Sequence, residues 1–237
     1  MANPYFNFKQ FSVFHDKCAM KVGIDGVLLG AWTDTSAAHK ILDIGTGTGL
    51  IALMLAQRSN SEIMAIDIDA DAVLQAKVNI ENSPWTDKIE VRELSLQKLA
   101  AKSEKRFDLI VSNPPYFVNS LKAPSESRTS ARHTDTLSHQ ELIDNAISLL
   151  TPQGRICLIL PVNEGLQCME YAEQKGLYCS KRVYVFPKPN VAAKRLLLEL
   201  SAIATTKVES ELTIESDIRH QYTPEFTELA KNYYLKL

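Results

Sequence analysis

Short apolar runs alternate with longer amphipathic stretches over most of the chain. From Lys40 onward, each run rich in β-branched residues is followed by a pattern with helical spacing. This alternation is typical of βαβ units, whose parallel strands are buried on both faces and therefore read as continuous apolar runs. The predicted strands are residues 41–44, 62–67, 89–92, 107–112 and 155–160. The pattern therefore predicts an α/β fold built on a mostly parallel sheet.

The C-terminal part of the chain predicts a different connection. Residues 178–186 and 195–203 are strand-like runs separated by a Pro-Lys-Pro-Asn turn region, which indicates an antiparallel hairpin at the sheet edge. With this hairpin, the sheet is expected to have seven strands and helices on both faces. A last helix is predicted over 225–234, because Thr223 and Pro224 suit its N-cap and first position.

Two regions depart from the alternation of strands and helices. Residues 6–14 alternate aromatic and polar side chains like a strand pair, and residues 21–30 begin a helix rich in small residues. Residues 113–136 carry two adjacent prolines, several serines and basic side chains. They leave the carboxyl end of the fourth strand, where ligands bind in open α/β sheets. Because long connections are uncommon in compact domains, both regions are candidates for function.

Length and composition indicate an ordinary globular protein. The chain has 237 residues, of which 45% are hydrophobic and 23% charged. We expect a single domain over residues 1–237, with an N-terminal extension at 1–39 and the core at 40–237. No leader-like start is present, and no stretch approaches the roughly 20 apolar residues that a membrane helix needs. A cytoplasmic protein without a membrane partner is therefore expected.

Cysteine spacing and charge narrow the possible partners. The four cysteines have no C-x-x-C spacing, so we expect buried, reduced thiols and no metal site. A formal charge of −2 argues against a general polyanion binder, because phosphate affinity comes from many basic groups. Local clusters of basic residues could still lie together on one rim of the protein and bind phosphates there. The sequence does not fix the oligomeric state, and a monomer is the expectation.

A glycine-rich segment, Asp43-Ile44-Gly45-Thr46-Gly47-Thr48-Gly49-Leu50, follows the first predicted strand and begins a helix. Its glycines let the backbone turn sharply and approach a ligand. Leu50 stands where a dinucleotide motif has its last glycine, so a pyrophosphate cradle is disfavoured. Asp67 ends the second strand, where a carboxylate can accept hydrogen bonds from both ribose hydroxyls of a nucleoside cofactor. Asp43 and the loop suit an amino-acid ammonium group.

This arrangement resembles the nucleotide-binding half of the class I, Rossmann-like methyltransferases. The resemblance implies S-adenosyl-L-methionine as the cofactor and S-adenosyl-L-homocysteine as its product. It places the cofactor across Gly45, Gly47 and Gly49, next to Asp67. It further implies that the cofactor's adenine lies between Ile68 and a partner near Glu93, Leu94 and Ser95, of which we select Leu94.

The tetrapeptide Asn113-Pro114-Pro115-Tyr116 comes directly after the fourth predicted strand, at the same edge. An aromatic exocyclic amine is a poor nucleophile, because its lone pair is delocalised and only the transition state has a pyramidal nitrogen. The Asn113 side-chain carbonyl and the Pro114 backbone carbonyl can accept the two N–H groups of such an amine. Pro115 helps to fix the loop, and Tyr116 offers a stacking surface. No catalytic base is needed, since the attacking amine is neutral.

Together the two motifs look like the amino-methyltransferases, which modify adenine, guanine or glutamine nitrogens. Four further segments resemble the bacterial tRNA adenine-N6 methyltransferases that act on valine tRNA next to the anticodon. These segments are residues 11–15, 21–32, 130–133 and 194–195. The resemblance covers essentially the whole chain, and it implies methyl transfer to the N6 amine of an adenine in tRNA.

The same resemblance implies roles for residues outside the two motifs. The N-terminal extension is expected to close over the methionine part of the cofactor through Lys21, Gly23, Asp25 and Leu28. Substrate contacts are expected in two groups. A wall near the target base includes Arg128, Arg132 and His133, and a basic rim for tRNA phosphates adds Lys188, Lys194 and Arg195.

Alternative interpretations of these residues stay open. Gly23 and Gly26 could serve helix packing, and Arg132 and His133 could be the structural pair of a loop. A protein-glutamine N5 methyltransferase or an rRNA guanine-N2 methyltransferase would use the same acceptors on another planar nitrogen. A binding module without chemistry is disfavoured by the intact tetrapeptide, and a nicotinamide oxidoreductase is disfavoured by Leu50.

Overall fold

A mixed, eight-stranded sheet organises the described part of the protein. The structure is a computed structural model that describes residues 3–18, 21–104, 106–114, 137–218 and 221–237. The strands are β1 (Tyr5–Asn7), β2 (Ser12–Phe14), β3 (Lys40–Ile44), β4 (Glu62–Asp67), β5 (Ile89–Glu93), β6 (Phe107–Ser112), β7 (Leu150–Pro161), β8 (Tyr178–Phe186), β9 (Arg195–Ser201) and β10 (Val208–Thr213). The helices are α1 (Ile24–Trp32), α2 (Leu50–Ala56), α3 (Ala70–Glu81), α4 (Leu96–Lys102), α5 (His139–Leu149), α6 (Val162–Gln174) and α7 (Pro224–Ala230).

The strand order is β10-β8-β9-β7-β6-β3-β4-β5. β9 runs antiparallel to both β7 and β8, and the other neighbouring strands are parallel. The expected α/β fold, the mostly parallel sheet and the C-terminal antiparallel hairpin are therefore confirmed. All seven predicted strands are present, and the sheet has one strand more than predicted.

The additional strand, β10, pairs in parallel with β8 and lies at the sheet edge. Its sequence, Val-Glu-Ser-Glu-Leu-Thr, buries only Leu212. An edge strand of this kind lacks the apolar run of a central strand, and its charged side chains discourage pairing with other chains. A prediction based on apolar runs therefore does not identify β10 as a strand.

A hydrophobic core lies on each face of the sheet, between the strands and the elements that pack on them. The β1–β2 hairpin, α1, α2, α3 and α7 pack on one face. The other face is covered by α4, α5 and α6. The strand pair predicted over residues 6–14 is confirmed as the β1–β2 hairpin, and α1 begins within the predicted helical region. Helices on both faces leave the two strand-end edges of the sheet as the places where a ligand can reach the central strands.

The last helix is shorter than predicted. Thr223 caps it, with its hydroxyl accepting from the Phe226 amide, and Pro224 takes the first turn as expected. The helix ends at Ala230 rather than continuing to Tyr234. Beyond it, Tyr234 forms a backbone bridge with Phe8 and its ring packs beside those of Phe6 and Phe8, so contacts with the N-terminal hairpin replace the last helical turn.

Three of the four cysteines confirm the expectation of buried thiols. Cys157, Cys168 and Cys179 are buried, whereas Cys18 is only half-buried. Burial raises the pKa of the Cys157 and Cys168 thiols to about 12, which keeps both groups protonated at neutral pH. These two thiols therefore pack as small hydrophobic groups.

Phe226 is the side chain on which the docking of α7 depends most. It is completely buried, and its ring lies 4.9 Å from that of Tyr222 and 6.3 Å from that of Tyr234. We expect Phe226→Ala to lower the free energy of unfolding by about 3–5 kcal/mol, because it leaves a cavity. Urea unfolding measures this loss. Glu228→Ala, at an exposed position on the same helix, is the control and should change stability by no more than about 0.5 kcal/mol. Equal effects of the two substitutions would contradict this packing.

Candidate active site

Three parallel strands end at the same level and place the two predicted motifs side by side. Ile44 of β3 is in register with Ile66 of β4 and Ser112 of β6. The next residue of each strand or connection is Gly45, Asp67 or Asn113. Neighbouring strands lie about 4.8 Å apart, so Asp67 and Asn113 flank the start of the glycine loop within roughly 10 Å of each other.

The glycine loop, residues 45–49, has a backbone that favours glycine at three positions. Gly45, Gly47 and Gly49 have φ angles of 68°, 55° and 81°, which other residues adopt only with strain. A Cβ atom at Gly45 or Gly47 would have no neighbour within 4 Å, so the outer side of the loop is open to a ligand. At Gly49 the added atom would lie 3.4 Å from Ala76, so this glycine also lets the loop pack against α3.

The Asp67 carboxylate is held by hydrogen bonds, one of them from the glycine loop. Its Oδ2 accepts from the Gly47 amide at 2.9 Å, and its Oδ1 accepts from the Asp69 amide at 3.0 Å. Each carboxylate oxygen has a second lone pair, so the capacity to accept from a ribose diol remains. Ile68 follows with 55% of its surface exposed, and the half-buried Leu94 donates its amide to the Asp67 carbonyl. The structure therefore brings Asp67, Ile68 and Leu94 to one side of the glycine loop.

Asp43 lies beneath the loop and is completely buried. Its Oδ2 accepts from the Thr46 hydroxyl at 2.6 Å, whereas its Oδ1 has no hydrogen-bond partner among the described residues. Burial, with a smaller contribution from the charge of Asp67, raises the pKa of this carboxyl to about 7. A buried carboxyl with an unused acceptor suits a cationic or hydrogen-bond-donating group above it.

Asn113 and Pro114 extend β6 beyond the sheet. The Ser112 hydroxyl is buried and donates to the Ile44 carbonyl at 2.8 Å, which fastens the end of β6 to the end of β3. Asn113 is half-buried and Pro114 is buried. The other predicted residues of this region, Pro115, Tyr116, Arg128, Arg132 and His133, lie outside the described residues.

The N-terminal residues predicted to contact the cofactor occupy different environments. Lys21 and Gly23 are exposed, Asp25 is half-buried, and Leu28 is completely buried in the core. A Cβ at Gly26 would lie 3.0 Å from the Leu50 side chain, which supports the packing interpretation for this glycine. At Gly23 the added atom would meet only the Lys21 carbonyl, at 3.9 Å, so helix packing does not explain that glycine. The cofactor roles of Lys21, Gly23 and Leu28 stay predictions.

The predicted basic rim lies at this same edge, in the connection from β8 to β9. Arg195 donates from Nε to Asp25 Oδ2 at 2.9 Å, so the structure joins a predicted substrate residue to a predicted cofactor residue. Lys188 pairs with Glu215 at 3.0 Å. Lys194 is exposed and has no ion pair with a described acidic residue. The rim is therefore partly neutralised by carboxylates of the chain itself.

Sequence reasoning missed two buried amide side chains of α3, one of which contacts the glycine loop. Gln75 and Asn79 of α3 are buried and lie four residues apart on the helix face that also carries Ala76 and Ile80. Asn79 donates to the Thr48 carbonyl within the glycine loop at 2.8 Å. The available signal was the presence of two amides within the apolar stripe of a helix, because buried polar groups require partners.

The described ranges contain neither a metal-ion cluster nor a membrane-spanning helix. No cluster of three or more His, Cys, Asp or Glu side chains there could hold a metal ion. No helix in those ranges is long and apolar enough to cross a membrane.

The raised pKa of Asp43 gives the protein a specific pH dependence. The folded chain holds this proton up to about pH 7, whereas the unfolded chain loses it near 3.8, so folding takes up a proton between these values. The contribution of Asp43 to stability therefore falls as the pH rises from about 4 to about 7. In urea unfolding, Asp43→Asn should gain stability relative to the unsubstituted protein over this range. A difference that does not change with pH would contradict the assignment.

Comparison with known proteins shows the family of the chain. Residues 18–175 match the family described as Methyltransferase small domain. The chain is 53% identical to the tRNA1(Val) (adenine(37)-N6)-methyltransferase of Parabacteroides distasonis over 238 residues, which cover 100% of both chains. It is 49% identical to the enzyme of that name from Trichodesmium erythraeum, again over 100% of both chains.

A solved structure agrees with the fold. A predicted O-methyltransferase from Agrobacterium tumefaciens superposes with a TM-score of 0.68 at 18% identity, covering 88% of this chain and 96% of that one. At this identity the likeness shows the fold alone. The family match and the full-length relatives, together with the site at the carboxyl edge, lead to one conclusion. The chain belongs to the methyltransferase small domain family and, within it, to the tRNA1(Val) (adenine(37)-N6)-methyltransferases.

Proposed function

We propose that this enzyme transfers a methyl group from S-adenosyl-L-methionine to the exocyclic N6 of adenine 37 in tRNA1(Val). The tRNA and the position are those in the names of its full-length relatives. The observation that carries the chemical part is the juxtaposition of Asn113 with the glycine loop, through the paired ends of β6 and β3. An amine acceptor and a cofactor cradle on neighbouring strands are what direct transfer between two bound molecules requires.

The residues around the glycine loop fit S-adenosyl-L-methionine. The open side of Gly45 and Gly47 leaves room for a ligand against the backbone. The unused Oδ1 of Asp43 beneath the loop suits the ammonium of an amino-acid group, and Asp67 suits a ribose diol. Ile68 and Leu94 supply apolar surface beside Asp67 for an adenine. When bound, this cofactor supplies an electrophilic methyl group on a sulfonium.

Asn113 acts on the target amine in this proposal. Its side-chain carbonyl and the Pro114 backbone carbonyl accept the two N–H groups and favour a pyramidal nitrogen, whose lone pair can then attack. The ring of Pro114 fixes its φ, and the proline that follows it in the sequence restricts its ψ, so the Pro114 carbonyl has little conformational freedom. The proton leaves only after the nitrogen has become cationic, so the site works without a side chain that takes the proton first.

Removing the Asn113 acceptor tests this assignment. We expect Asn113→Ala to lower the single-turnover rate of methyl transfer by on the order of 10²–10³ or more, because the lost interaction forms mainly in the transition state. Affinity for S-adenosyl-L-homocysteine, measured by calorimetry, should stay nearly unchanged. Asn82→Ala, at an exposed asparagine after α3, is the matched control and should keep both properties. Loss of cofactor affinity with retained activity would refute the role given to Asn113.

The basic rim is expected to bind tRNA phosphates. Lys194→Ala should weaken tRNA binding and lower the slope of log affinity against log salt by about 1, because one phosphate contact is lost. Lys188→Ala should have a smaller effect, since Lys188 already pairs with Glu215. Filter binding at several salt concentrations measures both slopes. The control is Lys40→Ala, an exposed lysine where β3 begins at the opposite edge of the sheet. An unchanged slope for Lys194→Ala would remove Lys194 from the rim.

A further inference from the structure

Asn79 connects the glycine loop to the N-terminal segment, here defined as residues 14–18. Its side chain is completely buried in α3. Its Oδ1 accepts from the Phe14 amide at 2.8 Å, and its Nδ2 donates to the Phe14 carbonyl at 2.9 Å and to the Thr48 carbonyl at 2.8 Å. One side chain therefore holds two backbone segments that are 34 residues apart in sequence, as Phe14 and Thr48 are.

Gln75 extends this connection by one turn of α3. It is also buried, and its Oε1 accepts from the Lys17 amide at 2.9 Å. Gln75 contacts the N-terminal segment, and Asn79 contacts both that segment and the loop. The pair therefore offers a way to separate the two connections experimentally.

Helix α1 of the N-terminal part also packs against α2, which begins directly after the loop. A Cβ at Gly26 in the first turn of α1 would lie 3.0 Å from the side chain of Leu50, the first residue of α2. The same turn of α1 is tied to β9 by the ion pair of Asp25 with Arg195. Phe14 is thus linked to Thr48 through Asn79, and Gly26 lies close to Leu50.

We propose that Asn79 is a positioning residue for cofactor binding, which sets the conformation of the glycine loop and its distance from the N-terminal segment. The inference rests on the proposed function, since it concerns the S-adenosyl-L-methionine site. A loop with three glycines loses much conformational entropy when it is fixed, so contacts that fix it before binding increase affinity. Asn79 supplies such a contact at Thr48, between Gly47 and Gly49.

A purely structural role would give a different result. Removing the Asn79 amide leaves the half-buried Phe14 backbone and the buried Thr48 carbonyl without their partner, so any truncation costs stability. A structural role predicts only this cost. A positioning role predicts, in addition, weaker cofactor binding by the folded protein.

The test measures S-adenosyl-L-homocysteine affinity by calorimetry and stability by urea unfolding for three variants. Asn79→Ala should weaken binding on the order of tenfold, equivalent to about 1.4 kcal/mol, and Gln75→Ala should weaken it less, because its contact with Lys17 does not involve the loop. Ser61→Ala is the matched control. Ser61 is buried and donates to the Ala38 carbonyl at 2.6 Å, just before β4 at the opposite edge, so its loss should cost stability without changing affinity.

Wild-type affinity for Asn79→Ala would overturn the inference while leaving the proposed function intact. A failure of the proposed function is distinguishable, because the unsubstituted protein would then bind no S-adenosyl-L-homocysteine. If Asn79→Ala does not fold, hydrogen exchange of the unsubstituted protein, measured with and without S-adenosyl-L-homocysteine, tests the positioning role instead. The positioning role predicts that S-adenosyl-L-homocysteine protects amides of both the glycine loop and residues 14–18. Protection of the loop alone would overturn it.

Discussion

The hydroxyl of Ser112 donates to the carbonyl of Ile44 at the level where β6 and β3 end together, and the position of the site depends on that parallel register. Both strands are buried by helices on their two faces. A slip by one residue would exchange the side chains that face the two cores, so the register is strongly specified. The register in turn places the glycine loop, Asp67 and Asn113 on three neighbouring strand ends. Strand pairing thus sets the positions of these three groups relative to one another.

Two of the three described residues of the basic rim are paired with carboxylates of the chain itself. Burial raises the pKa of Asp43 to about 7, and a cationic group above the loop would favour its charged form. Arg195 and Lys188 are held by Asp25 and Glu215, so the rim offers fewer unpaired cations than its sequence suggests. This agrees with a net charge of −2, which argues against binding to polyanions in general. The pairing of Arg195 with Asp25 also links the rim to α1, so the two predicted binding surfaces are physically connected.

Periodicity predicted the parts of the fold whose burial is regular. β4, β6 and β8 begin and end at the predicted residues, because their apolar runs coincide with full burial or with clear turn residues. β10 could not be predicted this way, since a charged edge strand is specified by its pairing with β8. The end of α7 also depends on a tertiary contact, that of Tyr234 with the hairpin. In the candidate site, the motif residues Asp43, Asp67 and Asn113 could be proposed from local sequence, and the structure places them in or directly after neighbouring strands. Asn79 could not, because its role depends on two segments that only the folded chain brings to it.

The central claim is that Asn113 presents an adenine of tRNA to a methyl donor held by the glycine loop. Its most direct test is transfer of labelled methyl from S-adenosyl-L-methionine to total tRNA from a strain that lacks this protein, followed by nucleoside mass spectrometry. The account predicts labelled N6-methyladenosine at position 37 of tRNA1(Val), and none with Asn113→Ala. Label in a protein or ribosomal RNA fraction, with none in tRNA, would contradict the substrate while retaining the amine chemistry.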